Sequence, residues 1–193
     1  MKRFYLLLII SCFLFWGTTT SRAYSETPEY YEQVYLNEKQ AIDLVFQDLA
    51  VEKKTVTITK EQKKIVQKRL KRKIKENSFT FFIGQKNNQD VGYALILDEQ
   101  GKHFPMTFIV SLDKNATVEQ VAIMVYREKR GDEVKRKRFL NQFKNKGSKD
   151  SLEVGDDIIH LTGATISSWS VAAGVKKAVV LTEVLIKNNK DGN

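Results

Sequence analysis

The residues of this chain best suited to chemistry lie in one stretch, Leu161-Thr162-Gly163-Ala164-Thr165-Ile166-Ser167-Ser168, where four hydroxyl side chains bracket a glycine-containing turn. The apolar residues that follow keep helical spacing, so the turn runs into a helix. A helix start carries backbone N–H groups without intrahelical partners and the positive end of the macrodipole, which suits a phosphate. Gly163 with Ala164 leaves room for a close approach. The plainer alternative is a capped helix start, with Thr165 or Ser167 satisfying backbone donors. The spacing fits neither GxxxxGK[ST] nor GxGxxG, and HExxH and GxSxG do not occur. No acid–base pair or nucleophile-and-base set stands out, so an enzyme is not indicated and a carrier or binding module needs none.

Residues 127–146 hold nine basic and three acidic side chains, a segment able to present positive charge to a phosphate or an anionic ring. Arg127 and Arg130 are the leading candidates, because a planar guanidinium can both hydrogen-bond a carbonyl and stack on a ring. Lys135, Lys137, Lys144 and Lys146 read as a solvated face. Phe139 and Phe143, four apart, read as a core pair, with contact to an aromatic ligand as the alternative. His103 and His160 lack partners at metal-ligand spacing. His160 reads as an exposed loop residue, with donation to a phosphate as the alternative, and His103 stands just before a strand. Trp169 reads as core, with stacking on an aromatic ligand as the alternative.

The 193 residues carry a net charge of +9, from 32 basic against 23 acidic residues, and 42% hydrophobic content suffices for one core. The single cysteine, Cys12, excludes a disulfide framework, a CxxC pair and cysteine-ligated metal. Redox chemistry would need a borrowed cofactor. Residues 1–25 read as a secretory signal peptide: Met1-Lys2-Arg3, the apolar run Phe4 to Trp16, then small and polar residues with cleavage after Ala23 or Ser25. An uncleaved anchor and lipidation at Cys12 are the alternatives. Export would place the protein outside the cytoplasm, periplasmic or membrane-associated.

No repeat or linker divides the rest, which reads as an N-terminal helical region, 26–78, and a domain, 79–193. Asn37 with Gln40, and Thr59 with Gln62, are capping boxes that open two amphipathic helices, the second reaching about Lys75. A strand over Thr55–Ile58 separates them. Phe79–Ile83 and Val91–Leu97 flank the turn KNNQD, and Met106–Leu112 and Val118–Tyr126 flank DKNAT, predicting two β-hairpins. A basic helix near Asp132–Phe143 and an amphipathic helix over Ile166–Ile186 follow. The expected class is α+β: a twisted antiparallel sheet of about four strands packed on the C-terminal helix and the N-terminal helices.

Thr162-Gly163-Ala164-Thr165, followed by Ser167-Ser168 at the head of a C-terminal helix, resembles the FMN-binding domain family. Its members are the flavin-carrying subunits of sodium-pumping NADH:quinone oxidoreductases and Rnf complexes, and small secreted flavoproteins. GKHFPMTFIV and VAIMVYREKRGDEVKRKRFLNQF extend the similarity to the small-protein branch, from roughly Phe79 to the C-terminus. The resemblance implies FMN as cofactor, and a phosphoester from the threonine matching Thr165, made by a flavin transferase that uses FAD. In the larger branch ETPGLG lies at the flavin ring; the matching segment is Glu128-Lys129-Arg130-Gly131-Asp132-Glu133, which keeps only the first glutamate and the first glycine and so points to Glu128 and Gly131. Covalent members usually carry Asp where this chain has Ile159.

The expected function is therefore an exported FMN-carrying electron carrier with a membrane or periplasmic redox partner. The alternatives are non-covalent FMN, or a flavin-free module with a decayed motif. Residues 60–75 carry nine basic residues against one acidic. That segment suits an anionic membrane surface or an acidic partner protein, and export argues against nucleic acid.

Overall fold

The computed structural model describes residue 27 and residues 29–187; the expected signal segment 1–25, Cys12 included, lies outside the described residues. A six-stranded antiparallel sheet runs in the order β1-β6-β5-β4-β3-β2. Its central four strands are the two expected hairpins: β3 (Ser78–Lys86) with β4 (Gln89–Gln100), and β5 (Pro105–Asp113) with β6 (Val118–Tyr126). The first hairpin turns through Asn87 and Asn88, both at positive φ, as a two-residue turn between twisted strands requires. In the second, the Asp113 carboxylate accepts from the amides of Asn115 and Thr117, both at 2.8 Å.

The sheet has six strands rather than four, because the region before residue 78 adds an edge on each side. β1 (Gln33–Val34) pairs with β6, and β2 (Ala50–Thr57) pairs with β3. The region 26–78 is thus only partly helical. β2 is longer than Thr55–Ile58 predicts, since an edge strand with both faces wet shows no apolar alternation.

Both capping boxes form. Asn37 Oδ1 accepts from the amide of Gln40 and the Gln40 side chain accepts from the amide of Asn37, opening α1 (Glu38–Phe46). Thr59 and Gln62 do the same for α2 (Lys60–Leu70). α2 stops at Leu70 rather than near Lys75. Lys71 turns left-handed, and Arg72 then forms a two-pronged ion pair with Glu99 of β4, at 2.6 and 2.7 Å.

The Asp132–Phe143 segment is not one helix. It is a 3₁₀ turn (Asp132–Lys135), an extended Arg136, one α-turn, α3 (Lys137–Leu140), and a second 3₁₀ turn (Asn141–Phe143). Val134, Phe139 and Phe143 are all fully buried in one core. Val134 and Phe139 would stand roughly 140° apart on a regular helix, so the break lets both reach inward.

α4 (Thr165–Thr182) widens into a π-turn over Glu183–Lys187. It packs with α2 and the 132–143 segment over the sheet face carrying Phe81, Leu95, Phe108 and Val110, while α1 covers part of the other face. Trp169 departs from its expected core position: it is 53% exposed, one turn into α4. No helix among the described residues is long and apolar enough to cross a membrane.

Candidate functional site

Three loops converge at the start of α4. The β4–β5 turn brings Lys102, His103 and Phe104; the segment after β6 brings Glu128, Lys129, Arg130 and Gly131; the turn into α4 brings Gly163, Ala164, Thr165, Ile166 and Ser167. With Thr27 and Glu29 they line a cleft of about 1270 Å³.

The α4 start is fixed by its serines, and none of them caps it. Ser168 Oγ donates to the carbonyl of Ala164 at 2.9 Å and accepts from the amide of Leu161 at 3.1 Å, stapling the turn to its own helix. Ser170 Oγ donates to the carbonyl of Gln100 at 2.5 Å, tying α4 to the end of β4. The N-cap position is Ala164, with no side-chain hydrogen bond, so the alternative of a hydroxyl-capped helix is not the arrangement found. The Thr165 hydroxyl is exposed in the cleft wall and makes no hydrogen bond among the described residues. Gly163 sits at φ +85 with open space where a Cβ would stand, so backbone conformation, not crowding, calls for glycine there.

Behind the cleft lies Tyr126, which the sequence reading did not single out. Its hydroxyl donates to the carbonyl of Arg130 at 2.7 Å, which leaves Ser167 Oγ, at 2.8 Å, as donor to the phenol oxygen. Burial, with the charges of Glu128, Asp132 and Glu133, pushes the Tyr126 phenol up to about 12, against the opposing bond from Ser167. Gly131, at φ +95, fits under this pair, and a Cβ there would stand 2.5 Å from the Tyr126 hydroxyl and 2.7 Å from Ser167 Oγ. Strict alternation along β6 would put Tyr126 on the face of Ala122 and Met124, yet it packs in the other cluster with Val121 and Ile123. Only the fold reveals that it meets residue 167.

The predicted site residues divide. Gly163, Ala164, Thr165, Ser167, Glu128, Arg130 and Gly131 line the cleft, whereas Thr162, Ser168 and Arg127 do not. Ser168 is fully buried in its staple, and Thr162 is exposed beside the lining residues. Arg127 is engaged elsewhere, bonding Glu32 at 2.9 Å and donating at 3.0 Å to the Pro105 carbonyl and to Thr107 Oγ1. Glu128 lines the cleft as a loop holder: its Oε1 accepts from the amides of His103 at 2.7 Å and Phe104 at 3.1 Å. Lys102 and Arg130 carry no ion pair among the described residues and are the open cations of the cleft. Phe139 and Phe143 are an edge-to-face core pair with centroids 5.5 Å apart, and His160 is exposed. Ile159 is 77% exposed, its backbone bonded in both directions by the Gln142 side chain.

Residues 101–180 match the family model of the FMN-binding domain, and this segment contains all three converging loops. The chain carries an FMN-binding domain. FMN is its cofactor. No curated protein matches the chain.

The cleft of the FMN-binding domain fits that cofactor on its own features. It has an uncapped helix start with a glycine turn for a phosphate, two open cations, and Phe104 and Ile166 as apolar surface for a ring. Thr27 and Glu29 lie outside the matched segment, so the cleft is completed by chain that family similarity does not reach.

Proposed function

We propose that this protein is an exported electron carrier whose FMN sits in the cleft at the start of α4, held non-covalently or as a phosphoester on Thr165. The observation that carries this reading is the exposed Thr165 hydroxyl beside an uncapped helix start, within a segment matching the FMN-binding domain. The flavin supplies the redox step; the protein binds, orients and tunes it. The α4 amides and the cleft lysines Lys102 and Lys129 receive the phosphate charge, Arg130 offers its guanidinium to the cofactor, and Glu128 holds the Lys102–Phe104 loop in place. Esterification requires the Thr165 hydroxyl to attack the FMN phosphoryl of FAD, forming the P–O bond and releasing AMP and the hydroxyl proton. A flavin transferase is the partner for that step, and a membrane or periplasmic protein the partner for electron exchange.

The test is production in an exporting host with a flavin transferase. Expected is a yellow protein with flavin fluorescence that persists in a denaturing gel and is absent in Thr165→Ala. Colour without the gel band assigns non-covalent FMN, in line with Ile159 standing where covalent members usually have Asp. A colourless product that does not bind FMN on titration overturns the reading in favour of a flavin-free module.

A second reading concerns α2, which we assign to docking on an anionic membrane surface. Lys60, Lys64 and Lys68 form an exposed stripe on the helix face away from buried Val66 and Leu70, with no ion pair among the described residues. Lys63, Arg69 and Arg72 of the same basic run are instead bonded within the fold. Co-sedimentation with anionic but not zwitterionic vesicles, weakened by salt and lost on changing the three lysines to glutamate, is expected. Sedimentation that ignores the stripe overturns it.

A further inference from the structure

The short segment ahead of β1 crosses the mouth of the cleft. Thr27 and Glu29 line it, Glu29 forms an ion pair with Lys129, Tyr30 meets Phe104 edge-on with centroids 5.2 Å apart, and Glu32 holds Arg127 at 2.9 Å. Each contact lands on a loop of the FMN-binding domain, yet the segment lies outside the matched residues. Its anchorage is downstream: the two-residue ladder of Gln33–Val34 with β6, and the amides of Tyr35 and Leu36 donating to the carbonyl of Met124. Upstream of Gln33, the contacts that hold it to the domain among the described residues are made by side chains. The Glu29–Lys129 pair is largely in water, with side-chain exposures of 71% and 56%, and pairs of that kind exchange easily.

We propose that Glu29–Glu32 is a displaceable fourth wall of the flavin cleft, in which Glu29 acts as a stand-in anion for Lys129 until the phosphate of FMN takes its place. This rests on the flavin reading above and deepens it, since it makes Glu29 and Lys129 determinants of selectivity for the phosphorylated flavin. A carboxylate in the cleft both occupies one of its cations and repels an incoming dianion. Riboflavin has no phosphate, and neither effect bears on it.

The test uses the full chain produced without a flavin transferase, so that no ester forms, titrated with FMN and with riboflavin by quenching of flavin fluorescence. Glu29→Gln is expected to tighten FMN about two- to five-fold, the range that coupling in an exposed ion pair allows, and to leave riboflavin unchanged. Lys129→Gln weakens FMN, and in that background Glu29→Gln gives no further gain. A Glu29→Gln variant without effect on FMN, with an equal effect on riboflavin, or with its gain intact in Lys129→Gln overturns the inference alone. Absence of FMN binding by the unaltered chain overturns this inference, and overturns the flavin reading with it only when the product made beside a flavin transferase is colourless as well.

Discussion

The hydroxyl of Tyr126 stands 2.8 Å from Ser167 Oγ, joining the end of β6 to the first turn of α4 across 41 residues of sequence. Because the same phenol donates to the carbonyl of Arg130, one side chain fixes two of the three loops that converge on the cleft. Tyr126→Phe removes both bonds. Expected are a loss of about 1–2 kcal/mol in stability, measured by denaturant unfolding, and weaker FMN binding.

The same residue predicts an alkaline response. Its phenol titrates at about 12 in the folded chain against an ordinary value of 10.0, so the native state keeps a proton that the unfolded chain gives up first. The associated stability is fully present below pH 10 and is lost as pH rises from 10 toward 12. Unfolding free energy followed across that interval should fall less steeply in Tyr126→Phe than in the unaltered chain. Parallel slopes would show that the fall comes from other groups.

Gly131→Ala tests the packing beneath that pair. An added Cβ would meet both hydroxyls, at 2.5 and 2.7 Å, in a backbone conformation that side chains rarely adopt. A loss of about 1–3 kcal/mol is expected, together with reduced affinity for FMN. Thermal unfolding and FMN titration of the variant check both.

Asp157 predicts an acid-sensitive loop. Burial alone would raise its carboxyl, but bonds from Ser151 Oγ and the amides of Leu152 and Glu153, with Lys146 at 3.3 Å, hold it below the ordinary 3.8. A folded value below the unfolded one gives stability that is present above about pH 3.8 and lost as pH falls through the folded value. Asp157→Asn should lower stability at neutral pH and flatten the acid limb, read by hydrogen exchange of the 151–158 amides across an acid series.

Glu99 is the buried member of a network reaching Arg72 at 2.6 Å and Lys177 at 3.9 Å. Lys177 is 5% exposed and bonds Glu76 at 2.6 Å. Glu99→Ala leaves Arg72 without its two-pronged partner and Lys177 with one acid fewer. A loss of roughly 3 kcal/mol is expected, at the lower end for a broken buried pair because Arg72 keeps part of its surface in water. The denaturation midpoint should fall while FMN affinity in the folded fraction stays unchanged.

What was legible in the sequence was local. Asn37 and Gln40, like Thr59 and Gln62, satisfy helix-start amides within three residues, so the pattern determines the structure wherever the segment lies. The Asn87-Asn88 turn and the Asp113 turn are equally self-contained, and the four central strands followed from their period. The TGAT turn at the head of α4 was visible because helix initiation is decided by adjacent residues.

The tertiary structure decided which side chains share a place. Arg127 and Arg130 look alike in sequence, yet the first bonds Glu32, 95 residues away, while the second borders the cleft. Trp169 lies on the water side of α4, and the edge strands β1 and β2 gave no alternation to read. Tyr126 and Glu29 enter the site only because β6 ends beneath α4 and the N-terminal segment crosses above it. A cap or a turn is settled by bonds that span three or four residues. A cleft wall is settled by which loops the sheet order brings together, and no local pattern encodes that meeting.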